Sequence, residues 1–126
     1  MQKIDGTTIK LNRGDVLNLT LSVKINGTEN YTFQVGDEIV FSVYNKGKMD
    51  QEAVVLKRIV IAEECQSVSI NLTSEETKLG EMKNKPVEYW YEVELNNQYT
   101  IIGYDDAGEK QLMLYPEGSK IVWMEI

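Results

Sequence analysis

Strict alternation of apolar and polar side chains is the feature that most limits how this chain can fold. From Leu17 to Ile25 every odd-numbered position is aliphatic and every even-numbered position is polar. Successive side chains of a β-strand point to opposite faces, so this period of two predicts a half-buried strand. The turn sequence Arg13-Gly14-Asp15 precedes the strand, and the hairpin dipeptide Asn26-Gly27 follows it.

The same period continues along the rest of the chain, and turn residues interrupt it about every ten positions. Further strands are predicted at residues 7–11, 39–44, 53–62, 67–73, 87–95, 98–104, 110–115 and 120–126. Many short strands at this spacing favour an all-β sandwich or barrel. The apolar faces predict a core that contains Leu19, Leu21, Phe41, Val43, Ile59, Ile70, Leu72, Tyr91 and Val93.

One short segment carries helix signals. Residues 74–79 begin beside the good N-caps Thr73 and Ser74, have two glutamates in the first turn and end at Gly80. The segment is long enough for one or two turns only, which could be 3₁₀ in type. The sequence therefore predicts a single short helical turn in an otherwise all-β chain.

The length and composition are those of one ordinary globular domain. The chain has 126 residues and a mass of 14.4 kDa, and 42% of its residues are apolar while 26% are charged. Because no linker or low-complexity tract interrupts it, residues 1–126 are predicted to form a single β-sandwich domain. Residues 104–126 are either a C-terminal extension or the closing hairpin of that sandwich.

The acidic balance argues against nucleic-acid and membrane partners. Twenty Asp and Glu residues oppose 13 Lys and Arg residues, so the net charge is -7. Nucleic-acid phosphates and anionic lipids repel such a chain. No segment has the roughly 18 apolar residues of a membrane helix, and the first six residues lack the apolar run of a signal peptide. We therefore expect synthesis and folding in a cytoplasm.

The residue inventory excludes most catalytic chemistry. The chain has no histidine and one cysteine, Cys65, so it can form neither a Ser-His-Asp triad nor a Cys-His pair nor a thiolate zinc site. Two glutamates precede Cys65 and disfavour its thiolate. We predict that the protein is not an enzyme and binds no cofactor and no metal.

Two groups of carboxylates are candidates for an exception. Residues 105–109 hold three carboxylates, but their spacing does not match an EF-hand loop, and a solvated turn is favoured. Glu88, Glu92 and Glu94 line one strand face, where a carboxylate pair could cleave glycosides. A carboxylate enzyme is the least favoured function, because such a site also needs one acid in an apolar setting.

Trp90 breaks the pattern of its strand, because it lies among glutamates on the polar face. Tyr115 and Trp123 are further large aromatic residues in a C-terminal segment with few core positions. Aromatic residues out of pattern often mark interfaces, so Trp90, Tyr115 and Trp123 are the candidate interface residues. The alternative is that the C-terminal strands cover Trp90 within the same chain, and both interpretations stay open.

Six segments of residues 7–104 follow one another in a characteristic order. They are Ile9–Asp15 (IKLNRGD), Gly36–Val43 (GDEIVFSV), Lys57–Ile61 (KRIVI), Ile70–Thr77 (INLTSEET), Tyr89–Leu95 (YWYEVEL) and Tyr99–Gly103 (YTIIG). This order resembles the small Ig-like domains of phage and prophage tails and baseplates in Gram-positive bacteria. The N-terminal domain of the baseplate upper protein is the member type.

The resemblance implies an immunoglobulin-like β-sandwich in which the helical turn crosses between the sheets and Tyr89 or Tyr91 caps the crossover. It also implies a non-enzymatic virion structural protein that is assembled in the bacterial cytoplasm. Its partners would be other tail or baseplate proteins, with a homo-oligomer as a further possibility. The alternative function is a carbohydrate- or receptor-binding module, in which Trp90, Tyr115 and Trp123 would stack on sugar rings.

Overall fold

The computed structural model describes residues 2–25, 27–81 and 84–116, and within them it contains β-strands and no helix. The all-β prediction is therefore confirmed. The strands are β1 (Gln2–Asp5), β2 (Thr8–Asn12), β3 (Leu17–Leu21), β4 (Lys24–Ile25), β5 (Glu29–Asn30), β6 (Glu38–Asn45), β7 (Val55–Val60), β8 (Val68–Leu72), β9 (Val87–Leu95), β10 (Tyr99–Ile102) and β11 (Gln111–Tyr115). Within the described ranges, no helix could span a membrane.

Seven strands form one large sheet in the order β1-β2-β11-β9-β6-β7, with β10 also paired to β9. Its pairs are antiparallel except for β11 and β2, which run parallel with Leu112 opposite Ile9. The strands β3 and β8 pair separately, with Leu19 opposite Ile70. The strands β4 and β5, each two residues long, form a third sheet, which is a short hairpin.

The core joins the large sheet to the β3-β8 pair. Phe41 and Tyr91 of the large sheet belong to the same buried cluster as Leu17 and Leu72 of the small one. Of the predicted core residues, seven are buried: Leu21, Phe41, Val43, Ile70, Leu72, Tyr91 and Val93. Leu19 and Ile59 are half-buried and pack against the cluster at its margin.

The predicted helical turn at residues 74–79 is wrong. Thr73 and Glu76 do make the reciprocal bonds of a capping box, with the Thr73 N–H donating to Oε1 of Glu76 at 2.9 Å and the Glu76 N–H donating to Oγ1 of Thr73 at 3.2 Å. Two bonds of helical spacing follow, an α-type bond from the Thr77 N–H to the Thr73 carbonyl and a 3₁₀-type bond from the Lys78 N–H to the Glu75 carbonyl, and they form a turn rather than a helix. The Arg13 guanidinium binds the carbonyls of residues 78–80, which follow these bonds, and holds the chain where the predicted turn ends.

The predicted strand at residues 17–25 is divided in two, because β3 ends at Leu21 and the chain turns into the β4-β5 hairpin. The carbonyl of Val23 accepts the N–H of Tyr31, which begins this separate pairing. Gly27 has the positive φ expected in the hairpin turn, whereas Asn26 lies outside the described residues. The strand predicted at residues 120–126 also lies outside them.

The two tyrosines of β9 hold different parts of the chain. The Tyr91 hydroxyl donates to the carbonyl of Thr7 in the β1-β2 turn, and not to the crossover. The Tyr89 hydroxyl lies against the end of the crossover, where a Cβ added to Gly80 would come within 2.8 Å of it. Gly80 also has a φ of 61°, so the position favours glycine for two reasons.

Candidate interaction surface

Trp90 lies on the outward face of the large sheet, opposite Tyr44 of β6 and Gln111 of β11. The strand alternation that buries Tyr89 and Tyr91 turns Trp90 outward, and Trp90 is half-buried there. We call the surface formed by Tyr44, Glu88, Trp90, Glu92 and Tyr104 the Trp90 face.

Two contacts hold the indole of Trp90. Its Nε1–H donates to Oε2 of Glu88 at 2.6 Å. Its ring lies 6.5 Å from the ring of Tyr104, at an angle of 50°. Tyr104 itself is 66% exposed, so the pair presents aromatic surface to solvent and Trp90 is oriented by its neighbours.

Tyr104 was not predicted as a site residue. It reaches Trp90 because the register of β10 shifts between Thr100 and Ile102, and Gly103 then passes close to β9. A Cβ added at Gly103 would lie 2.5 Å from Cγ2 of Thr100 and 3.6 Å from Cβ of Glu92. The glycine beside the aromatic residue was the only signal of this approach in the sequence.

The carboxylates of the Trp90 face have different surroundings. Glu88 accepts the indole N–H and lies 3.6 Å from the Lys46 ammonium. Glu92 accepts the Tyr44 hydroxyl at 3.2 Å. Desolvation, followed by repulsion from Glu94, raises the pKa of Glu92 above its usual range. Burial is also the main cause that raises the pKa of the Tyr44 hydroxyl.

The other two predicted interface residues are not brought to Trp90. Tyr115 lies on the same outward face, because Gln111 is directly opposite Trp90 and Tyr115 is four residues further along β11. That spacing corresponds to roughly 13 Å, and Tyr115 is half-buried beside Arg13 and Leu79 at the sheet's end. Trp123 lies outside the described residues.

The acidic turn after β10 is held by internal contacts. Oδ1 of Asp105 accepts the Lys110 ammonium at 2.8 Å and the Ala107 N–H at 2.9 Å. The bond from Lys110, and then that from Ala107, lowers the pKa of Asp105. Within the described ranges, no three His, Cys, Asp or Glu side chains are grouped to hold a metal.

Calcium and chelators are therefore expected to leave the melting temperature unchanged. A cation at Asp105 would have to displace the ammonium of Lys110, whose side chain is only 8% exposed. Thermal melts with added calcium and with excess chelator test this, together with elemental analysis for zinc and iron after dialysis. A calcium-dependent rise that is lost in Asp105→Asn would contradict the prediction.

Comparison with known proteins gives no match: no family model, no curated protein and no solved structure matches the chain at a significant level.

Proposed function

We propose that this protein is a non-enzymatic structural component of a phage or prophage tail or baseplate, with an Ig-like β-sandwich fold. It acts as an assembly module that binds neighbouring virion proteins through the Trp90 face. It is assembled into the virion in the bacterial cytoplasm.

The strand order supports the Ig-like part of the proposal. Immunoglobulin domains of the variable type place strands G, F, C and C′ side by side in one sheet and strands B and E in the other. The adjacent strands β11, β9, β6 and β7 correspond in order to the first set, and the pair β3-β8 corresponds to the second. The shared core of the two sheets agrees with a sandwich.

The assembly function rests on one observation, the contact between the Trp90 and Tyr104 rings. The alternating pattern of β9 predicts polar side chains on this outward face. Half-buried aromatic residues beside exposed ones, surrounded by polar groups, are typical of contact centres between proteins. The net charge of -7 makes copies of this protein repel one another and opposes nonspecific association. A stable contact with another protein therefore requires an apolar centre of this kind.

We expect Trp90→Ala to weaken association with a tail protein by roughly 30-fold or more while changing the fold little. The partners to test are the proteins encoded by the genes on either side, co-expressed and purified with this chain. Hot-spot tryptophans typically contribute about 2 kcal/mol or more, which corresponds to a loss of roughly 30-fold in affinity. Tyr99→Ala is the control for loss of an exposed aromatic ring, because Tyr99 is 62% exposed, close to the 66% of Tyr104, but lies outside the Trp90 face.

If Trp90→Ala lowers the melting temperature but leaves association unchanged, Trp90 is a packing residue and the interface assignment is wrong. Sedimentation of the purified protein at micromolar concentration tests the homo-oligomer separately. If neither a homo-oligomer nor a complex with any adjacent gene product forms, the assembly function is contradicted.

A carbohydrate-binding module is the second candidate, and the exposure of Tyr104 beside Trp90 favours it. Exposed aromatic rings can stack on sugar rings, while Glu92 and Tyr44 offer hydrogen-bonding groups at the same face. Glycan-array binding that is lost in both Trp90→Ala and Tyr104→Ala would favour this function over assembly.

A further inference from the structure

The outward face of β9 carries three glutamates, and their charges are compensated unequally. Both oxygens of Glu88 have partners, because Oε1 lies 3.6 Å from the Lys46 ammonium and Oε2 accepts the indole N–H of Trp90. Among the residues that the structure describes, no lysine or arginine lies within ion-pair distance of Glu92 or Glu94. Two negative charges without a cationic partner in the described chain therefore lie beside the aromatic rings.

The carboxylate of Glu92 is held close to both rings. Glu92 lies two residues from Trp90 on the same face of β9, a separation of roughly 7 Å. Its Oε1 accepts the Tyr44 hydroxyl at 3.2 Å, which fixes the side chain. Its Oε2 lies on the side of Gly103, 3.8 Å from where a Cβ of that residue would be, and Tyr104 is the next residue in the chain. Desolvation raises the pKa of Glu92, so a cation placed beside Oε2 would relieve a cost that the folded protein already bears.

The aromatic rings offer a flat surface at the same place. The ring centroids of Trp90 and Tyr104 are 6.5 Å apart and the rings are inclined at 50°, so neither ring covers the other face to face. Tyr104 is also 66% exposed. A guanidinium group stacks on such rings and donates paired N–H groups to a carboxylate, whereas an ammonium group is a compact charge without a flat face. One arginine side chain therefore has the groups to contact an aromatic ring and Glu92 together.

We propose that the Trp90 face binds an arginine of the partner protein, whose guanidinium stacks on the Trp90 and Tyr104 rings and pairs with Oε2 of Glu92. This inference rests on the proposed assembly function and specifies the chemistry of its partner, which is a basic segment with an exposed arginine. Charge complementarity favours such a segment over a neutral or acidic one, because Glu92 and Glu94 are negative and the whole chain has a net charge of -7.

A second copy of this chain does not supply that arginine. Arg13 and Arg58 are the two arginines of the chain. The Arg13 guanidinium binds the carbonyls of residues 78–80, and Arg58 pairs with Glu38 at 3.0 Å. Two copies of the Trp90 face would also bring glutamates against glutamates, and such like-charge contacts are unfavourable. The partner is therefore a different protein.

An acetylated and amidated peptide of alternating glycine and arginine is the probe for this contact. The same peptide with lysine in place of arginine carries an equal charge and is the control for nonspecific attraction. In NMR titrations at millimolar concentration, the arginine peptide should shift the indole N–H signal of Trp90, which is identified by its absence in Trp90→Phe. It should also bind severalfold more tightly than the lysine peptide. Equal affinities of the two peptides, or an unshifted Trp90 signal, would overturn the proposal.

Glu92→Gln tests the role of the carboxylate and is expected to lower the affinity for the arginine peptide severalfold. The amide oxygen of glutamine can still accept the Tyr44 hydroxyl, so the fold should be kept, and circular dichroism checks this. Glu64→Gln is the matched control, because it removes one negative charge at an exposed residue outside the Trp90 face. Equal losses of affinity in the two variants would mean that net charge alone attracts the peptide, and would overturn the proposal.

The same variants distinguish this inference from the proposed function. A complex with an adjacent tail protein that Trp90→Ala weakens and Glu92→Gln leaves unchanged would support assembly through the Trp90 face and overturn the arginine contact. If no adjacent tail protein binds but the arginine peptide binds with the expected preference, the arginine site is supported and the assembly function is contradicted.

Discussion

Replacing Phe41 by alanine is expected to lower the free energy of unfolding by about 3–5 kcal/mol. Phe41 is fully buried in β6, at the centre of the large sheet, and its ring centroid lies 5.5 Å from that of Tyr91. The substitution removes the apolar area of the ring and leaves a cavity that neighbouring strands on both sides of β6 cannot easily fill. Urea or guanidinium unfolding with a constant m-value measures the loss.

Leu56→Ala provides the control for this measurement. Leu56 lies on the neighbouring strand β7, opposite Ser42, and its side chain is 49% exposed. Removing it should change the free energy of unfolding by less than about 1 kcal/mol, because little buried area is lost. Equal losses in the two variants would mean that the inner and outer faces of β6 and β7 are assigned incorrectly.

Alkaline pH is expected to destabilise the protein through Tyr91. Burial raises the pKa of its hydroxyl to about 12, against an unperturbed tyrosine pKa of about 10. The folded state therefore keeps the proton that the unfolded state has already lost. The contribution of Tyr91 is fully present below about pH 10 and is lost as the pH rises through about 12, with a total of about 3 kcal/mol.

Tyr91→Phe isolates this contribution. At neutral pH the variant should be less stable by about 1 kcal/mol, because the bond to the Thr7 carbonyl is lost. As the pH rises from 10 to 12 the difference should shrink and then reverse, since phenylalanine has no proton to lose. Tyr44 and Tyr89, whose pKa values are also raised, are present in both proteins and cancel. Parallel stability curves would contradict the assignment to Tyr91.

The alternating pattern predicted the strands well wherever one face of a strand packs on the core. The strand β8 is an example, with Val68, Ile70 and Leu72 buried and the residues between them exposed. The pattern failed where pairing with another strand decides whether a strand forms and where it ends. The strand β1 is exposed at every position and exists because it pairs with β2. The apolar alternation of residues 17–25 likewise gave no sign that pairing with β8 stops at Leu21.

The candidate interaction surface was also predictable only in part. Trp90 could be identified because it violates the period of its own strand, which is a local property. Tyr104 could not be identified in this way, since its contact with Trp90 depends on the register shift in β10 and on the close passage of Gly103. The helical turn is a second example, because its capping box forms as the sequence predicts, whereas the path of the chain beyond it is held by Arg13, more than 60 residues away, which binds the carbonyls of residues 78–80.

The parallel pairing of β2 with β11 has a consequence for how the chain reaches its folded state. The paired residues are about 100 positions apart, and closing such a loop costs on the order of 4 kcal/mol in chain entropy before any contact compensates it. The hairpins β1-β2 and β6-β7 join neighbouring segments, so they can form early, whereas the pairing of β2 with β11 must wait for the rest of the chain. Until then the facing edges of β2 and β11 stay open to other chains. Crowded synthesis of many copies should therefore favour aggregation at these two edges, and hydrogen exchange during refolding should show that the amides joining β2 to β11 are protected last.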